Sequence, residues 1–516
     1  MNTMVKRMAT LVLAMILALS CFAFVACSDD TPDQPSTPDQ PDTPGTDTPG
    51  TSGGDTTPDD EVTAGTDYIM SIPKQNYGKT FTFLTTEGMR EKEVYFESED
   101  DAMGDLVETA IFYRNNRVSE HLGVDFGIIT DPNGGWSDKG EYINRVIQSY
   151  SAGDQDFSMV SVYMAYAAEL AVGGYFYDAN SIKSIDFESP WYVQSWQENT
   201  LINDRIYMVL SDLSYSMWQY INALYFNQQI SDELGITETL YSLAADGNLT
   251  LDYVMECAAL VAADDGNDVW DENDTYGICF NPFNCRAFLT YFDIPVVSAR
   301  EDGEYELTIY SERTEEVFAT MQNYIFNNNF VYMNDKLTTN HNDTSVTGAM
   351  FKEDRLLFLP AYLQVSQDLR DMDGAFGILP MPKYDEQQES YRSHSNDTFT
   401  VFAIPAHTED AEFVGTVMDA LSAENKYSVI PAYYDVVLKG RTTKDEQSVA
   451  MLDIIRDNLH FDFALAHLSS LDNMWTHFGG AVANKNNSSY SISYDANAEK
   501  YQTLLEDIMD AYWDAR

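Results

Sequence analysis

From Gly78 onward the apolar residues of this chain switch repeatedly between two periods, and that alternation limits the folds open to it. Thr80 to Thr85, Val124 to Ile129 and Phe157 to Val162 are short apolar-rich runs that read as strands. Between them, Leu106, Val107, Ala110, Ile111, Val118 and Leu122, and then Tyr142, Ile143, Val146, Ile147 and Tyr150, recur at helical spacing. Strand–helix–strand succession predicts an α/β architecture with parallel-rich sheets flanked by helices. Helical spacing returns at Val317, Met321, Tyr324 and Ile325, and in a terminal helix with Tyr501, Leu504, Leu505, Ile508 and Tyr512. The 516 residues exceed one ordinary domain and suffice for two full-sized cores. No short-period repeat is visible.

The N-terminus supplies an address. Lys6 and Arg7 precede an apolar run, Met8 to Ala26, broken only by Thr10 and Ser20, which is the pattern of a secretory signal. Phe24-Val25-Ala26 before Cys27, with Ser28-Asp29-Asp30 after it, resembles the lipobox of bacterial lipoproteins. That resemblance implies removal of residues 1–26 and lipid attachment at Cys27. Phe24 stands where the pattern usually has Leu, and Cys21 competes. Cys27 is preferred because the apolar sequence continues to it and stops there. An uncleaved anchor is the other reading of a run approaching the ~20 residues that span a bilayer. Both place the remainder outside the membrane. Residues 28–66 then hold ten acids, seven prolines and no Lys or Arg. Such a segment buries too little apolar surface to offset chain entropy, so residues 27–78 read as a disordered, extended tether.

Composition narrows the function by exclusion. The net charge of −54 repels phosphate backbones and anionic lipid, which argues against nucleic-acid binding. Self-repulsion also favours a monomer. Beyond the tether only Cys257, Cys279 and Cys285 remain, which allows one disulfide at most and lacks the paired spacing of a zinc site. The seven His form no HExxH, and no nucleophile elbow or phosphate-binding loop appears. With 83 acids, paired carboxylates arise by chance, so residue counts leave a glycoside hydrolase open.

An ordered set of segments carries a more specific resemblance: GDQDFSMVSV, Pro190-Trp191-Tyr192, NDRIYMVLSD at 203–212, YFNQQISDELGI at 225–236, FGILPMPKYDEQQESY at 376–391, TVFAIP at 400–405 and PAYYD at 431–435. Together they resemble the extracellular solute-binding proteins of ABC-type sugar importers. The resemblance implies a type II, two-lobed binding-protein fold with a ligand cleft between lobes. It implies lobe 1 over 79–217 with 401–470, and lobe 2 over 218–400 with 471–516. Chain crossings are expected near 217–221, 398–401 and 465–480. It implies no catalysis, a carbohydrate ligand, ABC permease subunits as partners, and a lipid anchor at the extracellular face of the cytoplasmic membrane, as in Gram-positive bacteria. A glycan-degrading lipoprotein or a surface lectin is the alternative.

Carried onto this chain, the recognition loops of that family hold Glu87, Tyr163, Tyr166, Asp212, Trp218, Tyr220 and Tyr362. Trp218 or Tyr362 is expected to stack on a sugar ring, and Glu87 or Asp212 to accept hydroxyl hydrogen bonds. Trp191, Trp196, Tyr433 and Tyr434 are expected to pack structurally. No cofactor is implied beyond a structural calcium: the family often carries a calcium loop where this chain has residues 263–274. There Asp265, Asn267, the Val269 carbonyl, Asp271 and Asp274 fall at ligand spacing. Ala263 at the first position and Asp268 in place of the turn glycine depart from the pattern, and Asp264 offers a shifted register.

If Cys27 carries the lipid, Cys27→Ser should abolish palmitate labelling and release the protein from membranes. Labelling that persists at Cys21 would move the cleavage site.

Overall fold

Phe81, Phe83 and Leu84 are wholly buried in β1 (Lys79–Thr86), the central strand of the first sheet. The computed structural model describes residues 68–69, 71–300, 303–334, 344–372, 374–438 and 446–514. The signal segment, Cys27 and the tether to residue 67 lie outside them. Around β1 stand β2 (Val124–Asp131), β3 (Met159–Tyr163) and β11 (Thr400–Ala403), in the order β11-β3-β1-β2. β1 is parallel to β2 and β3, whereas β11 runs antiparallel to β3. The helices α1 (Met89–Val94), α2 (Leu106–Leu122), α3 (Lys139–Ala152) and α4 (Met164–Val172) lie between or after these strands, as the alternation of periods predicts. In α2 the Asp105 carboxylate accepts from the backbone N–H groups of Val107 and Glu108, a cap worth about 1 kcal/mol. Gly123 ends the helix at φ 60°, a left-handed turn that suits glycine.

The second sheet has the order β10-β4-β9-β5-β8, with β4 (Asn222–Asn227), β5 (Tyr276–Phe280), β8 (Val331–Met333), β9 (Leu356–Tyr362) and β10 (Phe376–Leu379). β5 is parallel to β8 and β9, while β4 is antiparallel to both β9 and β10. A separate two-stranded ribbon joins β6 (Val297–Ala299) to β7 (Tyr305–Leu307). Every residue of β4, β5 and β9 is buried, the condition of strands covered on both faces. α5 (Pro282–Tyr291) follows β5 and opens on a capping box between Asn281 and Asn284, with proline at its first turn. The helical spacings near Val317 and Tyr501 become α6 (Glu312–Phe326) and the terminal helix Ala498–Asp514.

Between the sheets the chain crosses along residues 220–222 and returns along 394–396. These segments pair with each other. Asn222 N–H donates to the His394 carbonyl at 2.9 Å and Asn396 N–H to the Tyr220 carbonyl at 3.0 Å. The Ser395 hydroxyl adds a bond to the Met217 carbonyl at 2.8 Å. Leu84 and Val160 of the first sheet share one contiguous apolar core with Leu224 and Phe358 of the second.

After β11, α7 (Ala411–Glu424) packs on α2 of the first sheet. A π turn at Asn425–Val429 leads into α8 (Ile430–Leu438), which touches both α2 and residues 363–367 beyond β9. The next helix, α9 (Glu446–Asp457), lies against β10. The chain therefore passes over to the second sheet within 425–457, and the expected lobe 1 segment 401–470 serves both sheets. An amphipathic helix can bury its apolar face on either sheet, so periodicity does not choose between them.

α10 (Met474–Val482) lies across α5 at very short range. A Cβ on Gly479 would sit 2.6 Å from the Arg286 backbone nitrogen and from Arg286 Cβ, so only glycine admits this approach. We expect Gly479→Ala to lower unfolding stability by about 1–3 kcal/mol, measured by urea denaturation. An unchanged midpoint would show that the two helices have slack.

Candidate functional site

The carboxyl ends of parallel strands in both sheets face the paired crossings. β3 ends at Tyr163, in contact distance of the return crossing through β11, and β9 ends at Tyr362, paired to Asn222 where β4 begins. α1 carries Arg90, whose guanidinium lies over the Tyr163 ring at 4.5 Å. Its Nη2 donates to the Thr398 carbonyl at 2.6 Å. From the other sheet, α5 carries Arg286. That guanidinium forks onto both Asp397 carboxylate oxygens, at 3.3 and 3.4 Å, and donates to the Asn396 side-chain oxygen. Tyr220 meets the Tyr362 ring edge-on, centroids 5.8 Å apart. Two cations, one carboxylate, an amide and three tyrosines from both sheets thus converge on the crossing strand 394–398.

Burial dominates the titration behaviour here. It pushes the Tyr163 phenol up to about 12, Asp397 adding to the rise and Arg90 opposing it. Burial likewise raises Tyr166 and Tyr362, Arg90 and Arg286 respectively opposing. These phenols stay protonated near neutrality and serve as both donors and acceptors. For Arg286, burial works against the charge, yet the net shift is upward because Asp397 favours the cation.

The predicted residues fall into two places. Tyr163, Tyr220 and Tyr362 belong to this junction. Tyr166 is wholly buried beneath Tyr163, its ring centroid 5.6 Å away and its hydroxyl donating to the Gly134 carbonyl at 3.0 Å. Glu87 is exposed just past β1, tied through its backbone N–H to the Asp131 carbonyl. Asp212 and Trp218 instead border a separate cavity of about 620 Å³, with Trp191, Arg392, Lys426, Arg456 and His460 in its wall. Trp218 Nε1 donates to Asp212 at 3.1 Å, and its ring packs edge-on to Tyr434. Burial raises the Asp212 carboxyl to about 6, Lys426 opposing the shift from 3.8 Å away.

The remaining aromatic expectations resolve by contact. Trp191 Nε1 and the Tyr192 hydroxyl both donate to Asp419, and Trp196 is wholly buried with Nε1 on the Met208 carbonyl. Tyr433 is buried in α8, and Tyr434 packs against Trp218. Sequence reasoning missed Arg90, Arg286, Asn396 and Asp397. Arg286 had a signal: it is a lone cation inside the apolar run Pro282-Phe283-Asn284-Cys285-Arg286-Ala287-Phe288 of a chain with only 29 bases. Arg90 had none, since it is followed by the charged run Glu91-Lys92-Glu93.

In the acidic loop, Asp264, Asp265 and Asp274 bring one oxygen each to within 4.8 Å of one another. Buried Asp274 accepts the backbone N–H groups of Asp265 and Asp271. Asp268 takes φ 59° where the calcium-loop pattern has its glycine. Asp264 joins the cluster through the shifted register, and its Oδ1 accepts from the Gly266 and Asp268 N–H groups, as Asp265 accepts from Asn267, Asn267 from Val269 and Asp271 from Asn273. The carboxylates suit a hard cation.

No protein-family profile and no curated protein sequence matches this chain. Solved structures similar to this chain include the GacH receptor of Streptomyces glaucescens, compared unliganded and with acarbose: 13% identity, TM-score 0.48, covering 83% of this chain and 99% of that one. A cyclo/maltodextrin-binding protein complexed with maltotetraose gives 10% identity, TM-score 0.49, and 84% and 96% coverage. The galacto-N-biose/lacto-N-biose I-binding protein of an ABC transporter from Bifidobacterium longum gives 10% identity, TM-score 0.49, and 83% and 98% coverage.

Because the folded Asp212 carboxyl titrates near 6, above the ~3.9 of an unfolded chain, its contribution to stability is full below the unfolded value. That contribution is lost as pH rises through about 6. We expect Asp212→Asn to remove this dependence, gaining up to about 3 kcal/mol relative to wild type between pH 4 and 7. Parallel stability-against-pH curves for the two proteins would contradict it.

Proposed function

We propose that this chain is an extracellular solute-binding lipoprotein that captures a carbohydrate, an oligosaccharide in size, and delivers it to the permease subunits of an ABC importer. One observation carries the reading: tyrosines at the carboxyl ends of parallel strands in two sheets meet Arg and amide side chains at the paired crossings. Open α/β sheets bind ligands at such strand ends, where loops expose polar groups. Aromatic faces suit the C–H faces of pyranose rings, and planar polar side chains suit their hydroxyls. Two sheets joined by short paired segments can also close as bodies around a ligand, which gives a permease a loaded shape to recognise.

The hydrolase alternative fares worse at this junction. Asp397 is engaged on both oxygens by Arg286, which makes it a poor general acid or base. The ordered sequence segments and the acidic tether further support a tethered receptor outside the membrane, anchored at Cys27. A structural calcium in the 264–274 loop belongs to the same reading. It would be held by Asp264, Asp265 and Asp274, with no part in ligand capture.

Titration calorimetry with neutral and charged oligosaccharides tests the reading. We expect saturable binding without turnover, and a smaller radius of gyration in solution scattering when ligand is bound. Tyr163→Ala and Tyr362→Ala should each weaken binding by roughly 2–4 kcal/mol while the apo protein stays folded. Melting scans with calcium and with chelator, run on the same samples, should separate if the loop binds the ion. Release of shortened glycan would favour the enzyme. Absence of binding across the panel would end the carbohydrate reading.

A further inference from the structure

Two buried arginines near the junction differ in how their donors are spent. Arg114 in α2 has no exposed surface, and its guanidinium is closed off by protein acceptors. Nε donates to Asn115, Nη1 to Asn425 and the Glu93 carbonyl, and Nη2 to the Val94 carbonyl. Arg90 is 9% exposed, and one bond, from Nη2 to Thr398, is its recorded partner. Its Nε is buried with no acceptor among the described residues. A buried N–H left without an acceptor is unfavourable, and more so on a cation.

The charge balance points the same way. Arg117 is paired with Glu424 at 2.6 Å, and Arg286 with Asp397. Glu93 is wholly buried between Arg114 and Arg90 and acts on both, but its Oε1 is already taken by the Ser216 N–H and hydroxyl. Glu93 Oε2 has no hydrogen-bond partner among the described residues, and no carboxylate of these residues lies within ion-pair distance of Arg90. Arg90, the cation without an ion-pair partner, is the one stacked on Tyr163, at the junction where the proposed ligand sits.

We infer that the carbohydrate captured at this junction is acidic, and that a singly charged oxyanion on its ring, a uronate carboxylate or a sulfate ester, docks against the guanidinium of Arg90. The inference rests on the carbohydrate reading above and deepens it. The Tyr163 face holds the guanidinium plane, and a planar fork meeting an oxyanion gives directional, charge-assisted hydrogen bonds.

The full-length protein would be applied to an array of neutral, uronate-bearing and sulfated oligosaccharides. The best binder would then be titrated against its uncharged counterpart, carboxyl-reduced or desulfated. We expect the charged form to bind at least tenfold more tightly, and the array class of the best binder to tell uronate from sulfate. Arg90→Gln should erase that preference while Arg90→Lys keeps part of it. The apo melting temperature of Arg90→Gln should match or exceed wild type, since an unpaired buried charge is removed. A neutral best binder, or a charge preference that survives Arg90→Gln, overturns the inference and leaves the carbohydrate reading standing. Earlier melting of Arg90→Gln with preference intact assigns Arg90 to structure and equally overturns it. No binding to any class on the array removes the carbohydrate reading itself.

Discussion

The backbone pairing of the two crossings is the constraint on which the other features depend. Residues 220–222 and 394–396 leave their sheets at the ends where parallel strands expose loops, so their polar groups are buried between two bodies. They satisfy each other: Asn222 to His394 and Asn396 to Tyr220. Leu363 extends the arrangement by donating to the Ile221 carbonyl at 2.9 Å, which fixes Tyr362 beside the crossing. Unpaired, these groups would each forfeit roughly 1–3 kcal/mol. Paired, they set the spacing between Tyr163 at one sheet's edge and Tyr362 at the other's.

A second layer of polar contacts ties the crossings to the helices behind them. Glu93 in α1 accepts from Ser216, whose hydroxyl also receives the Thr400 N–H at the start of β11. Asn425, first residue of the π turn, accepts from Arg114 and donates to the Asp212 carbonyl at 2.6 Å. The widened turn thus links α2 to the segment leading into the first crossing. π turns of this kind occur where a helix must present a group it would otherwise point elsewhere. Motion at the crossings would be felt at both Glu93 and Asn425.

The junction combines polar side chains with near-complete burial. Tyr163 and Tyr362 remain neutral, so hydrogen-bonding versatility is retained without added charge. The aromatic residues of the PWY segment pack structurally: Trp191 and Tyr192 converge on Asp419 of α7. Their abundance in this chain therefore serves two purposes, and only contact tells which residue serves which.

The sequence alone determined the succession of elements. Apolar period is a local property, so the runs at 80–85, 124–129 and 157–162 and the helical stripe from Leu106 to Leu122 fall where the structure has strands and α2. The capped start of α5 is local in the same sense. Three of the expected tyrosines also reach the junction, because residues at the ends of strands inherit their place from the strand. What only the tertiary structure decided is which distant residues meet. Arg90 finds Thr398 across 308 positions and Arg286 finds Asp397 across 111, through sheet order and the pairing of the crossings. Asp212 and Trp218, close in sequence to Tyr220, turn instead into a different cavity. No periodicity encodes such distances, since they arise from how two sheets are laid against one another.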